Sequence, residues 1–115
     1  GDVGQEAVRR LSPSELVEAL RSERAPQVID VRSEDEYHDA TLGRVPGALL
    51  LPLEHLEAQG ESLRGRPGGV VVSCRTTARA VLAASVLQRQ GLTDVSVLEG
   101  GVLAWKAEGH PVELG

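Results

Sequence analysis

Gly69-Val70-Val71-Val72-Ser73-Cys74-Arg75-Thr76-Thr77-Ala78-Arg79-Ala80-Val81-Leu82-Ala83-Ala84 passes from a β-branched run, through a polar turn, into strong helix-forming sequence. The pattern predicts a buried strand ending near Ser73, a turn opening on Cys74, and a long helix reaching about Gln90. A thiol between a strand end and a helix start sits where unpaired backbone N–H groups converge and the helix dipole is positive. Both favour the thiolate over the thiol. A lone cysteine beside valines is commonly just a small buried hydrophobe. Here two arginines, Arg75 and Arg79, flank a turn that holds no large apolar residue, and a core cysteine needs neither feature. Cys74 is therefore the candidate nucleophile.

Outward from this stretch, alternation of strand and helix continues in both directions. Leu11-Ser12-Pro13-Ser14-Glu15-Leu16 is a helix start, with Ser12 as N-cap, Pro13 at N1, Glu15 closing a capping box and Leu11 stapling to Leu16; the helix should reach about Ser22. Pro26-Gln27-Val28-Ile29-Asp30-Val31-Arg32 reads as a short buried strand with polar residues at its end. Ser33-Glu34-Asp35-Glu36 is a second capping box, which predicts a short helix through Asp39 or Ala40. Gly47 to Pro52 reads as an apolar strand closed by proline, Glu54 to Ala58 as one or two helical turns, and Gly60 to Gly69 as polar loop. Beyond the long helix, Gly91 supplies its cap, Asp94 to Leu98 is a β-branched strand, and Glu99-Gly100-Gly101 turns into a last helix carrying Leu103, Trp105 and Lys106.

This order predicts a single α/β domain with a central, mostly parallel β-sheet and helices on both faces. Ligands in such sheets collect outside the carboxyl ends of the strands. Cys74, the Asp30 to Arg32 segment and Glu99-Gly100-Gly101 all lie at such ends, so three segments should meet at one mouth.

The chain has 115 residues, 41% hydrophobic and 25% charged, and a formal charge of -5. That is globular composition, and the acidic balance argues against a nucleic-acid or anionic-membrane partner. Two arginines within six residues of an acidic chain instead make a local positive spot suited to a small anion. One cysteine cannot form an internal disulfide, and an unpaired thiol suits a reducing compartment, so a cytoplasmic location is the expectation. No signal peptide is visible, and the longest apolar stretch, Val45 to Leu53, is broken by Pro46 and Pro52, so no membrane contact is expected from this segment. Residues 1–10 read as an N-terminal extension, with Gly1-Asp2-Val3-Gly4 resembling a tag scar or linker. His38, His55 and His110 are scattered without cysteine or acidic partners at ligand spacing, so no metal and no cofactor are expected.

Four pieces together resemble the rhodanese (thiosulfate sulfurtransferase) family over roughly residues 11–113. They are Val28-Ile29-Asp30-Val31-Arg32 with Glu34-Asp35-Glu36-Tyr37 behind it; Val45-Pro46-Gly47-Ala48 leading to Pro52; the Cys74 loop; and Leu98-Glu99-Gly100-Gly101-Val102-Leu103-Ala104-Trp105 with Gly109-His110-Pro111-Val112. The resemblance implies a rhodanese-like domain in which the Cys74 thiolate takes a sulfane sulfur from a small anionic donor such as thiosulfate. It would hold that sulfur as a persulfide and pass it to cyanide, a thiol or a protein acceptor. Backbone N–H groups of Arg75, Thr76, Thr77, Ala78 and Arg79 would cradle the substrate, and the two arginines would add charge. Arg75 is the expected contact. Arg79 could equally bridge an acid such as Asp30 or Glu99, and the hydroxyls of Thr76 and Thr77 are expected to serve as turn and N-cap groups. Asp30 and Arg32 are expected to brace the mouth, and Trp105 to plug the core.

Many family members carry glycine where this chain has Thr77, and Ser or Thr where it has Ala80. Two other readings share the resemblance: a phosphatase or arsenate reductase of the same fold, and a sulfur-carrier or regulatory module acting only with a protein partner. Phosphatase-type loops hold one more residue between cysteine and arginine than the four here, and the tighter turn suits a single sulfur atom better than a tetrahedral oxyanion.

Overall fold

The computed structural model describes residues 8–115. The sequence Gly1 to Gly4, read above as a scar or linker, lies outside the described residues. Five strands form one all-parallel sheet, β1 (Arg9–Leu11), β2 (Gln27–Asp30), β3 (Leu49–Leu50), β4 (Val70–Ser73) and β5 (Val95–Leu98), in the order β1-β5-β4-β2-β3. Between them run α1 (Pro13–Leu20), α2 (Glu34–Tyr37), α3 (Leu56–Gln59) and α4 (Ala78–Arg89), and α5 (Gly101–Ala107) follows β5.

The central strands are buried on both faces, which is why they read as continuous apolar runs. Alternate residues feed two cores. Ile29, Val70, Val72 and Val97 pack with Leu56 of α3 and with Ala80, Ala83, Ala84 and Leu87 of α4. Val28, Val71 and Leu98 pack on the other face with Leu16 of α1 and with Val102 and Trp105 of α5. Trp105 is 2% exposed and donates its indole N–H to the Pro111 carbonyl, as a core plug should.

Both capping boxes form as expected, at Ser12 with Glu15 and at Ser33 with Glu36. Three details depart from expectation. Arg9 and Arg10, read above as part of an N-terminal extension, belong to the sheet, where Arg9 to Leu11 pair in parallel with Ser96 to Leu98 of β5. Helix α2 stops at Tyr37 rather than Asp39, because the Asp39 carboxylate turns to accept the Thr41 N–H and starts the next loop. Gly60 to Leu63, expected as loop, continues α3 as a 3₁₀ turn that seats Leu63 in the core.

From β2 the chain moves outward to β3, then returns to place β4 on the other side of β2. The crevice beyond the carboxyl ends of β2 and β4 is therefore where the strand order reverses, the position at which parallel sheets bind ligands. Val31 and Arg32 leave one side of it and Cys74 the other. The Val31 N–H donating to the Ser73 carbonyl ties the two exits together.

Candidate active site

Cys74 follows β4 directly, is 1% exposed, and belongs to the same core cluster as Val72 and Ala80. After it the chain makes a short turn, with Arg75 and Thr76 exposed, and enters α4 at Ala78.

The turn is held from outside by the start of α5. The Val102 N–H donates to the Cys74 carbonyl at 2.9 Å and the Leu103 N–H to the Arg75 carbonyl at 3.1 Å. Gly101, at φ +63°, lies so close that a Cβ there would sit 2.2 to 2.5 Å from the carbonyl oxygens of Thr76, Cys74 and Arg75. In a trans peptide the C=O and the following N–H point in opposite directions. Three carbonyls turned towards Gly101 therefore turn the N–H groups of Arg75, Thr76 and Thr77 the other way. Among the described residues, none of the backbone N–H groups from Arg75 to Arg79 donates to a protein acceptor. The result is a concave set of donors at the N-terminus of a twelve-residue helix, chemistry suited to an anion.

The side chains of the turn divide into ties and one free charge. Arg79 grips Glu36 end-on, Nη1 to Oε1 at 2.7 Å and Nη2 to Oε2 at 2.9 Å. This replaces the expected partners, since Asp30 is taken by Arg32 and Glu99 by Arg10. The Arg79 guanidinium holds the Glu36 carboxyl at about 2, well below 4.5, and Glu36 in turn raises Arg79; the charges of Cys74 and Asp30 act on Arg79 in the same direction. Thr77 is the N-cap residue by position, yet its hydroxyl makes no capping bond; it accepts the Gly100 N–H at 3.0 Å. Thr77 is thus a strut from the turn to the β5–α5 corner, not a helix cap. Ala80 is fully buried against the sheet, where a hydroxyl would lack water. Arg75 makes no hydrogen bond or ion pair among the described residues. Its charge reaches Asp39, whose carboxyl is lowered chiefly by the Thr41 N–H and less by Arg32 and Arg75.

Asp30 ends β2 and Arg32 follows it, and they are 0% and 1% exposed. Arg32 donates Nε to Oδ1 at 2.9 Å and Nη2 to Oδ2 at 2.8 Å, and its Nη2 also reaches the Gly43 carbonyl at 2.9 Å. The pair thus fastens the loop after α2 to the end of β2, away from solvent. Removing one partner would strand a buried charge, which costs about 3–5 kcal/mol.

The structure brings Cys74, the 75–79 turn and the Gly100-Gly101 corner together, as their places at strand ends led one to expect, and adds Glu36. Glu36 was visible as a capping residue and as part of the acidic stretch behind β2, and its tie to Arg79 leaves no trace in local sequence. Gly101 was visible as a turn glycine. Among the described residues no cluster of His, Cys, Asp and Glu has the makings of a metal site, and no helix is long and apolar enough to cross a membrane.

A model of the Rhodanese-like domain family matches residues 12–108. A protein of Allochromatium vinosum described as a sulfurtransferase is 31% identical over 105 residues, covering 91% of this chain and 94% of that protein. A probable adenylyltransferase/sulfurtransferase MoeZ of Mycobacterium tuberculosis is 32% identical over 103 residues, which are 88% of this chain and 25% of that protein. The crystal structure of a rhodanese-related protein from Thermoplasma volcanium superposes with a TM-score of 0.80 at 28% identity, covering 93% of this chain and 99% of that one.

Two outcomes are expected from this geometry. Gly101→Ala forces a Cβ onto three backbone carbonyls at a positive φ, so it should lower stability by about 1–3 kcal/mol in urea unfolding and alter the alkylation rate of Cys74. The Glu36 carboxyl, depressed to about 2 when folded against 4.5, contributes stability above pH 4.5 that disappears as pH falls through 2. Both side chains of the pair are about a third exposed, 38% and 34%. The contribution discounted for screening is about 1 kcal/mol. The stability gap between wild type and Glu36→Gln should therefore be constant near neutral pH and close between about 4.5 and 2.

Proposed function

The chain belongs to the rhodanese-like domain family, and on that premise we propose that it is a sulfurtransferase using Cys74 as a persulfide carrier. The observation that carries this reading is the row of unpartnered N–H groups that starts on the residue immediately after the only thiol. The Cys74 thiolate attacks the outer sulfur of a donor such as thiosulfate. The donor's S–S bond breaks with its electron pair leaving on sulfite, and Cys74 is left as a persulfide anion. A cyanide ion or thiolate then attacks the outer sulfur, the new S–S bond breaks, and the electron pair returns to Cys74.

Each residue of the turn has a part. The N–H groups from Arg75 to Arg79 receive the negative charge of the bound sulfur. Arg75, exposed and without a protein partner among the described residues, meets the sulfonate of the donor. Arg79, Thr77 and Gly101 hold the shape of the cradle, and Asp30 with Arg32 braces the mouth by tying the end of β2 to the Gly43 loop. No cofactor is required. The acceptor is a thiol, cyanide or the thiol of a protein partner, and a cytoplasmic setting would keep Cys74 reduced between turnovers.

Intact mass after incubation with thiosulfate and desalting tests the carrier: wild type should gain one sulfur atom and Cys74→Ser none. An absence of adduct on wild type, with hydrolysis of an aryl phosphate instead, would overturn the proposal. Arg75→Ala should raise KM for thiosulfate about tenfold with a smaller change in kcat, as loss of a charge-assisted contact to the substrate requires. An unchanged KM would remove Arg75 from the contact.

A further inference from the structure

The Glu36–Arg79 pair sits beside the cradle and is not needed to fold α2, because the capping box there uses Glu36 through Ser33 alone. Besides anchoring the first turn of α4, the pair occupies the guanidinium. Arginine recognises a tetrahedral oxyanion chiefly through two parallel N–H donors aimed at two oxygens. Both terminal nitrogens of Arg79 already address the two oxygens of Glu36, at 2.7 and 2.9 Å. Arg79 lies on the first turn of α4, next to the unpartnered N–H groups, and within charge reach of Cys74. It is the cation that would complete a dianion site if its fork were free.

We propose that Glu36 is a specificity-determining residue: by holding the Arg79 fork it withholds from the cradle the bidentate donor that an oxyanion seated in the turn itself, such as phosphate, requires, and so leaves the turn to the single transferred sulfur, while the sulfonate of the donor meets Arg75 outside it. This rests on the sulfur-transfer reading and sharpens it. One carboxylate outside the loop, together with the loop's length, separates this chemistry from oxyanion chemistry on the same fold.

Glu36→Gln is the informative variant. Glutamine at N3 keeps the capping bond from the Ser33 N–H, but its amide nitrogen cannot accept from Arg79, so one arm of the fork is released and the negative charge is removed. Inorganic phosphate titrated calorimetrically into the whole chain at neutral pH should bind the variant about tenfold more tightly than wild type. The double variant Glu36→Gln/Arg79→Gln should lose that gain. Should Glu36→Gln fail to fold, Glu36→Asp keeps the charge but is too short to span both terminal nitrogens, and a gain of several-fold is expected. Phosphate affinity equal in wild type and the folded variant, no binding by either, or a gain that survives in the double variant would each overturn the inference. Sulfur loading of wild type by thiosulfate, read separately by mass, reports on the sulfur-transfer reading alone, so the two can fail independently.

Discussion

The site depends on two hydrogen bonds from the first turn of α5 to the carbonyls of Cys74 and Arg75. A turn left to itself would present some carbonyls and some N–H groups to whatever it surrounds, and a mixed lining repels an anion as much as it attracts one. Pinning consecutive carbonyls outward makes the lining uniform. The arrangement needs a residue at position 101 with no side chain, because three carbonyl oxygens converge where its Cβ would be. It also explains why the last strand and helix, distant in sequence from Cys74, belong to the same site: β5 brings the Gly100-Gly101 corner alongside β4, and α5 starts against the turn.

The electrostatics follow from how the arginines are spent. Arg32 is consumed by Asp30 at the end of β2, Arg79 by Glu36 beside the turn, and Arg10 by Glu99 at the neighbouring strand end. These ties fix geometry and leave little net field. In a chain of formal charge -5 the positive character of the site therefore comes from Arg75, from backbone N–H groups and from the end of α4. Backbone donors do not move and need no reorganisation when charge arrives, which favours a lining that must accept and release the same sulfur in each cycle.

Much of this was legible in the sequence because it is local. A capping box is written in four residues, a buried parallel strand in a run of valines, and the strand–turn–helix transition at Cys74 in composition alone. Strand β1 was not legible: Arg9-Arg10-Leu11 has one apolar residue and two exposed arginines, and it is a strand because β5 offers an open edge, with Arg9 held by Ser96 and Asp94. The partner of Arg79 was equally hidden. Sequence offered acids at strand ends, and the chain instead used a capping residue 43 positions away, a choice fixed only when α2 and α4 are laid side by side.

Thr77 shows how a departure from a family pattern can keep the purpose of the pattern. Glycine in such a turn is valuable where φ must be positive, but Thr77 sits at φ -131° and ψ -33°, and no non-glycine among the described residues has positive φ. The turn here makes no demand that only glycine can meet. With that demand gone, a side chain becomes useful, and the threonine hydroxyl accepts the Gly100 N–H, two residues before the first of the two donors that clamp the turn from α5. Glycine would leave that N–H without its partner and the turn with more freedom to lose on folding. Threonine exchanges conformational latitude for a third tie to the same corner, and a turn held at three points is less able to widen for a larger anion.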